Sequence, residues 1–166
     1  MWGFHERVLS SITVIKCPKI TSQSANQGVT KPYFLSIDDL SLVSKLLSRT
    51  NQALLMFLQI ESFREDLFSQ EQTEIFTNLS SLRWLAFLHC NIRSLPANLS
   101  SLTTLEKLRI YNCKNLSSLP DLPPSLQSFH TQACNSAFKE HCRRKTAHIP
   151  NKGNLYGVKK HLCNTL

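Results

Sequence analysis

Apolar residues recur along this chain in one fixed string. The clearest copy is Leu82-x-x-Leu85-x-Phe87-x-x-Cys90-x-Ile92, followed by Leu105-x-x-Leu108-x-Ile110-x-x-Cys113 and Leu116. Weaker copies run Leu9-x-x-Ile12-x-Val14-x-x-Cys17, Leu35-x-Ile37-x-x-Leu40, Leu55-x-x-Leu58-x-Ile60-x-x-Phe63 and Leu126-x-x-Phe129-x-Thr131-x-x-Cys134. The first strand position of each copy is Ile12, Leu35, Leu58, Leu85, Leu108 and Phe129, separated by 23, 23, 27, 23 and 21 residues. Within each string, two apolar residues flank one outward residue, the alternation of a short strand with one buried face. A fixed period predicts that successive strands stack in parallel, ~4.8 Å apart. A single repeat cannot bury its apolar side alone, and at least three neighbours are needed. Six copies meet that need.

Cys17, Cys90, Cys113 and Cys134 share one phase of the string, where the chain turns from the strand into the core. A small apolar thiol suits that place. Leu40 and Phe63 fill the same phase with bulk. Leu95-Pro96 and Leu119-Pro120 end the turn at matching positions and predict an extended convex segment. In the longest spacing, Ser69-x-x-Gln72 reads as a capping box opening a helix toward Ile75, Phe76 and Leu79. Further helices are expected over about 40–47 and over 136–145. The period and the string agree with the leucine-rich-repeat consensus. The expected fold is therefore α/β: a leucine-rich-repeat solenoid of about six repeats with parallel strands on its concave face. Residues 1–135 form that solenoid, 136–150 a C-terminal cap and 151–166 a basic tail, in which disorder is expected. Only eight residues precede the first copy, which reads as a solenoid truncated at its N-terminal end.

Composition narrows the function. The chain has 166 residues, four glycines and no phosphate-cradling glycine motif, so no cofactor is expected. The longest strongly apolar run, residues 53–58, falls far short of the ~20 needed to span a bilayer, and no secretory signal is evident. A cytoplasmic protein without membrane contact is expected. The net charge of +8 is concentrated in residues 136–166, which hold seven Lys or Arg and one Glu. That tail lacks interleaved aromatics, which argues against nucleic acid. Cys134, His141, Cys142 and His148 match no zinc-ligand spacing, and His89 and Cys90 should point to opposite sides of the chain. No metal site and no enzyme are expected.

A surface is the better candidate. Thr13, Ser36, Gln59, Ala86, Arg109 and His130 are the central outward positions of the six strands. Leu88, Tyr111, His89 and Asn112 come just after two of them, and Trp84 flanks a strand start. The candidate protein-binding concave face is Trp84, Leu88, His89, Arg109, Tyr111, Asn112 and His130, an aromatic and arginine content typical of interfaces.

Three strings carry a family resemblance. They are Leu79-Ser-Ser-Leu-Arg-Trp-Leu through Cys90 with Ser94-Leu95-Pro96, Leu105 through Cys113 to Pro120, and Leu122-Pro-Pro-Ser-Leu-Gln-Ser-Phe129 with Cys134. With Phe138-Lys-Glu-His-Cys142 and Thr146-Ala-His-Ile-Pro150, these resemble the C-terminal leucine-rich repeats of plant, grass-type nucleotide-binding disease-resistance proteins. The resemblance spans roughly residues 5–150 and departs from the family at Arg143-Arg-Lys-Thr146, where a Gly-rich, Trp-containing stretch is usual. It implies a fragment of a cytoplasmic immune receptor in the defence response. It implies partners too: a pathogen effector, a host protein, or the receptor's missing nucleotide-binding domain. The alternative expectation is a generic repeat scaffold or adaptor, or a non-functional truncated gene product.

Overall fold

A computed structural model describes residues 10–14 and 32–153. Cys17, Leu9 and residues 154–166 of the expected tail lie outside the described residues. Among the described residues, seven strands form one sheet in sequence order: β1 (Ser10–Val14), β2 (Pro32–Ile37), β3 (Phe57–Glu61), β4 (Trp84–Leu88), β5 (Lys107–Tyr111), β6 (Ser128–Gln132) and β7 (Asn151–Gly153). Every neighbouring pair is parallel. The fold is thus α/β, with a parallel sheet. The register follows the period of the string. Ile12, Leu35, Leu58, Leu85, Leu108 and Phe129 stand opposite one another from β1 to β6. A second row joins Ile37, Ile60, Phe87, Ile110 and Thr131. From β2 to β6 both rows are buried, and burying one Leu or Ile contributes about 1.5–3 kcal/mol.

The returning segments pack behind these rows. Helix α1 (Ser41–Leu46) begins where Asp39 accepts from the Ser41 N–H and hydroxyl, at 2.9 and 2.8 Å. Helix α2 (Arg49–Leu54), for which no sequence expectation was drawn, is capped by Ser48 and buries Gln52. The Gln52 amide donates to the Leu47 carbonyl at 3.0 Å. Helix α3 (Gln70–Ile75) has the capping box: the Ser69 hydroxyl accepts from the Gln72 N–H, and the Gln72 side chain from the Ser69 N–H. The chain then continues as a 3-10 turn, Phe76–Asn78, and a second 3-10 segment spans Ala97–Ser101. The long spacing also delivers Phe68, which stacks on Phe63 at 5.0 Å and meets Phe76 and Phe87 edge-on. Those ring pairs occupy the extra length.

Helix α4 (Ser136–Lys145) seats Phe138 and Cys142 in the core, whereas Ala137 is exposed. Asn135 both starts this helix and ties it back. Its oxygen accepts from the Phe138 N–H, and its amide donates to the carbonyls of Lys114 and Leu116. Residues 151–153, read from the sequence as the start of the tail, pair in parallel with β6.

A left-handed residue ends each of four strands. Ser62, His89, Asn112 and Ala133 have φ of 59°, 55°, 52° and 55°. The turn swings the next residue, Phe63, Cys90, Cys113 or Cys134, into the core. It also aims an N–H at the following strand: Ser62 donates to the Leu88 carbonyl, His89 to Tyr111 and Asn112 to Gln132, at 2.8–2.9 Å. The thiols bridge backwards. The single S–H of Cys90 lies between the Leu88 and Ile60 carbonyls, that of Cys113 between Tyr111 and Phe87, and that of Cys134 between Gln132 and Ile110, with S···O distances of 3.4–4.0 Å. Each thiol therefore touches its own strand end and the strand before it.

The hydrogen bond between the Cys90 and Cys113 side chains pushes Cys113 up, together with burial, and holds Cys90 down. Burial raises Cys134, and burial with Cys134 nearby pushes Cys142 up to about 12 from 9.0. Neutral thiols are poor nucleophiles.

Ala133→Gly should stabilise the fold by about 1 kcal/mol, because an L-residue other than Asn pays roughly that to hold positive φ. Asn112→Val should destabilise it. Urea melts check both, and an unchanged or weaker Ala133→Gly would contradict the turn. Because all four are buried, Cys90, Cys113, Cys134 and Cys142 should resist alkylation in the native chain and react once it is unfolded, as read by mass spectrometry. Because the folded pKa of Cys142 lies above its unfolded value, its contribution is complete below pH 9 and lost as pH rises toward about 12. Stability should decline across that window, and less steeply in Cys142→Ala.

Candidate functional site

The sheet face opposite the core carries three outward rows. The first runs Phe34, Phe57, Trp84, Lys107 and Ser128. The central row is Thr13, Ser36, Gln59, Ala86, Arg109 and His130, the outward set read from the sequence. The third joins Glu61, Leu88, Tyr111 and Gln132. Strand alternation puts these side chains on one face, and the constant register makes the rows continuous.

Short contacts fix much of this surface. Tyr33 and Phe57 lie 4.6 Å apart, ring centre to ring centre, and Phe57 and Trp84 6.2 Å apart, making an aromatic ridge along one margin. On the other margin, the His89 ring meets Tyr111 edge-on at 5.1 Å, and the Asn112 amide lies 2.8 Å from His89 Nδ1. With the amide donating, Nδ1 accepts and the His89 proton sits on Nε2. The Ser128 hydroxyl lies 2.7 Å from His130 Nε2, and the Gln59 amide donates to Ser36 and Glu61.

Arg109 lies between these margins. In its row it stands opposite Ala86, the smallest side chain there and fully buried, and His130. Its Nε is buried and has no hydrogen-bond partner. Leaving a buried donor unpaired costs about 1–3 kcal/mol, and more for a charged group. Arg83, Arg93, Arg143 and Arg144 each hold an acid, in exposed pairs of small energetic value.

The structure thus brings Trp84, Leu88, Arg109, Tyr111 and His130 onto one face of three adjacent strands. His89 and Asn112 are not strand residues: they occupy the left-handed turns at its margin. His89 is exposed, and the other six candidates are partly buried. Of the aromatic partners, Phe57 flanks a strand start as Trp84 does but was not among the candidate binding residues, and Tyr33 was not read from the sequence. Their signal was the row position of Phe57, which matches that of Trp84. Among the described residues, no group of three or more His, Cys, Asp or Glu side chains is placed to hold a metal ion, and no helix is long and apolar enough to cross a membrane.

No protein-family model matches the chain, and no solved structure matches it. A curated protein does: TMV resistance protein N of Nicotiana glutinosa is 37% identical over 62 residues. That stretch is 37% of this chain and 5% of the relative, so the chain spans a small part of the protein it matches. The similarity supports a relationship to plant resistance proteins, and it does not extend to the grass affinity read from the C-terminal strings.

Proposed function

We propose that this chain is a non-enzymatic recognition module, a leucine-rich-repeat solenoid from the C-terminal part of a plant nucleotide-binding resistance protein. It acts in defence by binding a pathogen effector, a host protein or the receptor's own nucleotide-binding domain in the cytoplasm. One observation carries the reading: the parallel sheet sets Trp84 on β4 and Arg109 and Tyr111 on the neighbouring β5 on one face, and none of the three is fully buried. Large aromatic and arginine side chains held by a rigid sheet lose little entropy on binding, and such residues dominate interface energetics. The similarity to a plant resistance protein supports the biological setting.

Trp84→Ala combined with Tyr111→Ala should lower capture of a partner from pathogen-challenged plant tissue by at least about tenfold, as expected for interface hot spots. Arg93→Ala, outside the open face, should leave capture unchanged. Equal retention by both variants, measured by quantitative mass spectrometry of the precipitates, would overturn the open face as the binding surface.

A further inference from the structure

Charge on the open face is divided between its two halves. The acids Asp38 and Glu61 belong to the β2 and β3 end, and Glu61 already accepts from Gln59. The cations Lys107 and Arg109 belong to β5. Across the strand positions of β4, β5 and β6 there is no acid. Among the described residues, neither Lys107 nor Arg109 enters an ion pair. The buried Arg109 Nε has no acceptor. That nitrogen is closed to solvent and hence to a partner atom, so a partner meets Arg109 at its terminal nitrogens.

We propose, resting on the recognition reading above, that Arg109 receives the side-chain carboxylate of an Asp or Glu from a protein partner. The planar carboxylate accepts two parallel N–H groups, one from each terminal nitrogen, which is the fork geometry a guanidinium offers. Lys107 adds a second positive charge from two positions away on the same strand. Trp84 and Tyr111 flank the acid on either side along the strands and take up its apolar neighbours. A doubly charged phosphate would fit this half of the face less well, because these two side chains are its only Lys or Arg among the strand positions of β4–β6. Lysine cannot replace the arginine, since an ammonium lacks the fork.

The test is a random-peptide display selection against the full chain, with matched phosphopeptides as a separate arm. Selected peptides should carry an Asp or Glu, and changing that acid to Asn or Gln should weaken binding by at least about tenfold. Arg109→Gln and Arg109→Lys should each remove the preference for the acid, while Arg93→Gln keeps it. Arg109→Met should lose binding yet melt at a higher temperature, because it removes the unpaired buried donor. Peptides lost on Trp84→Ala but showing no acid requirement, or a preference for phosphopeptides, would overturn the carboxylate while leaving the recognition face standing. Peptide binding unaffected by Trp84, Tyr111 and Arg109, or no binding at all, would overturn both. A lower melting temperature for Arg109→Met would make Arg109 a structural residue and overturn the inference.

Discussion

Strand register is the constraint on which the rest of this structure depends. A strand buried on one side has a side-chain period of two, so a slip of one residue would exchange its buried and exposed sets. Here Leu85 lies between Leu58 and Leu108, and Ala86 between Gln59 and Arg109. Slipping β5 by one would set Arg109 toward the core and Leu108 toward water. The penalty for burying an unpaired guanidinium makes that alternative prohibitive. The same alignment that fills the core therefore builds the outward surface.

Three devices hold the register at the strand ends. The left-handed turn costs backbone energy at Ser62, His89 and Ala133, and less at Asn112. What it gains is a donor placed for the next strand and a side chain delivered to the core. Each buried thiol then places its single donor between carbonyls of two strands. On the other side of the strands, the Thr104 hydroxyl lies 2.9 and 3.0 Å from the Ser80 and Leu82 carbonyls, and Ser125 repeats the arrangement with Leu102 and Leu105. Thr104 and Ser125 do for the start of a strand what the cysteines do for its end.

Most of the strand pattern was legible in the sequence because period and burial are local consequences of side-chain type. The positions from Ile12 to Phe129 can be aligned by eye, and so can the capping box at Ser69 and the helix at 136–145. Helix α2 was not legible, since Arg49–Leu54 has no apolar stripe and is seated by one buried glutamine. The pairing of residues 151–153 was hidden for another reason. A terminal strand needs only backbone groups to pair, and Asn-Lys-Gly has no apolar alternation to reveal it. The site was legible in part. Outward positions follow from alternation, which found Arg109, Tyr111 and Trp84. The desolvation of Arg109 Nε does not, because it depends on how side chains of neighbouring strands cover one another.

Binding at the open face, as proposed, uses a surface whose residues are also the ladder's outward rungs, so geometry there is fixed before any partner arrives. The most direct test of that account is the register itself. Backbone NOE contacts measured on isotope-labelled full-length chain should link Gln59 to Ala86, Ala86 to Arg109 and Arg109 to His130, in one continuous row. Contacts displaced by one residue, such as Leu85 or Phe87 facing Arg109, would contradict it, as would the absence of contacts between successive strands.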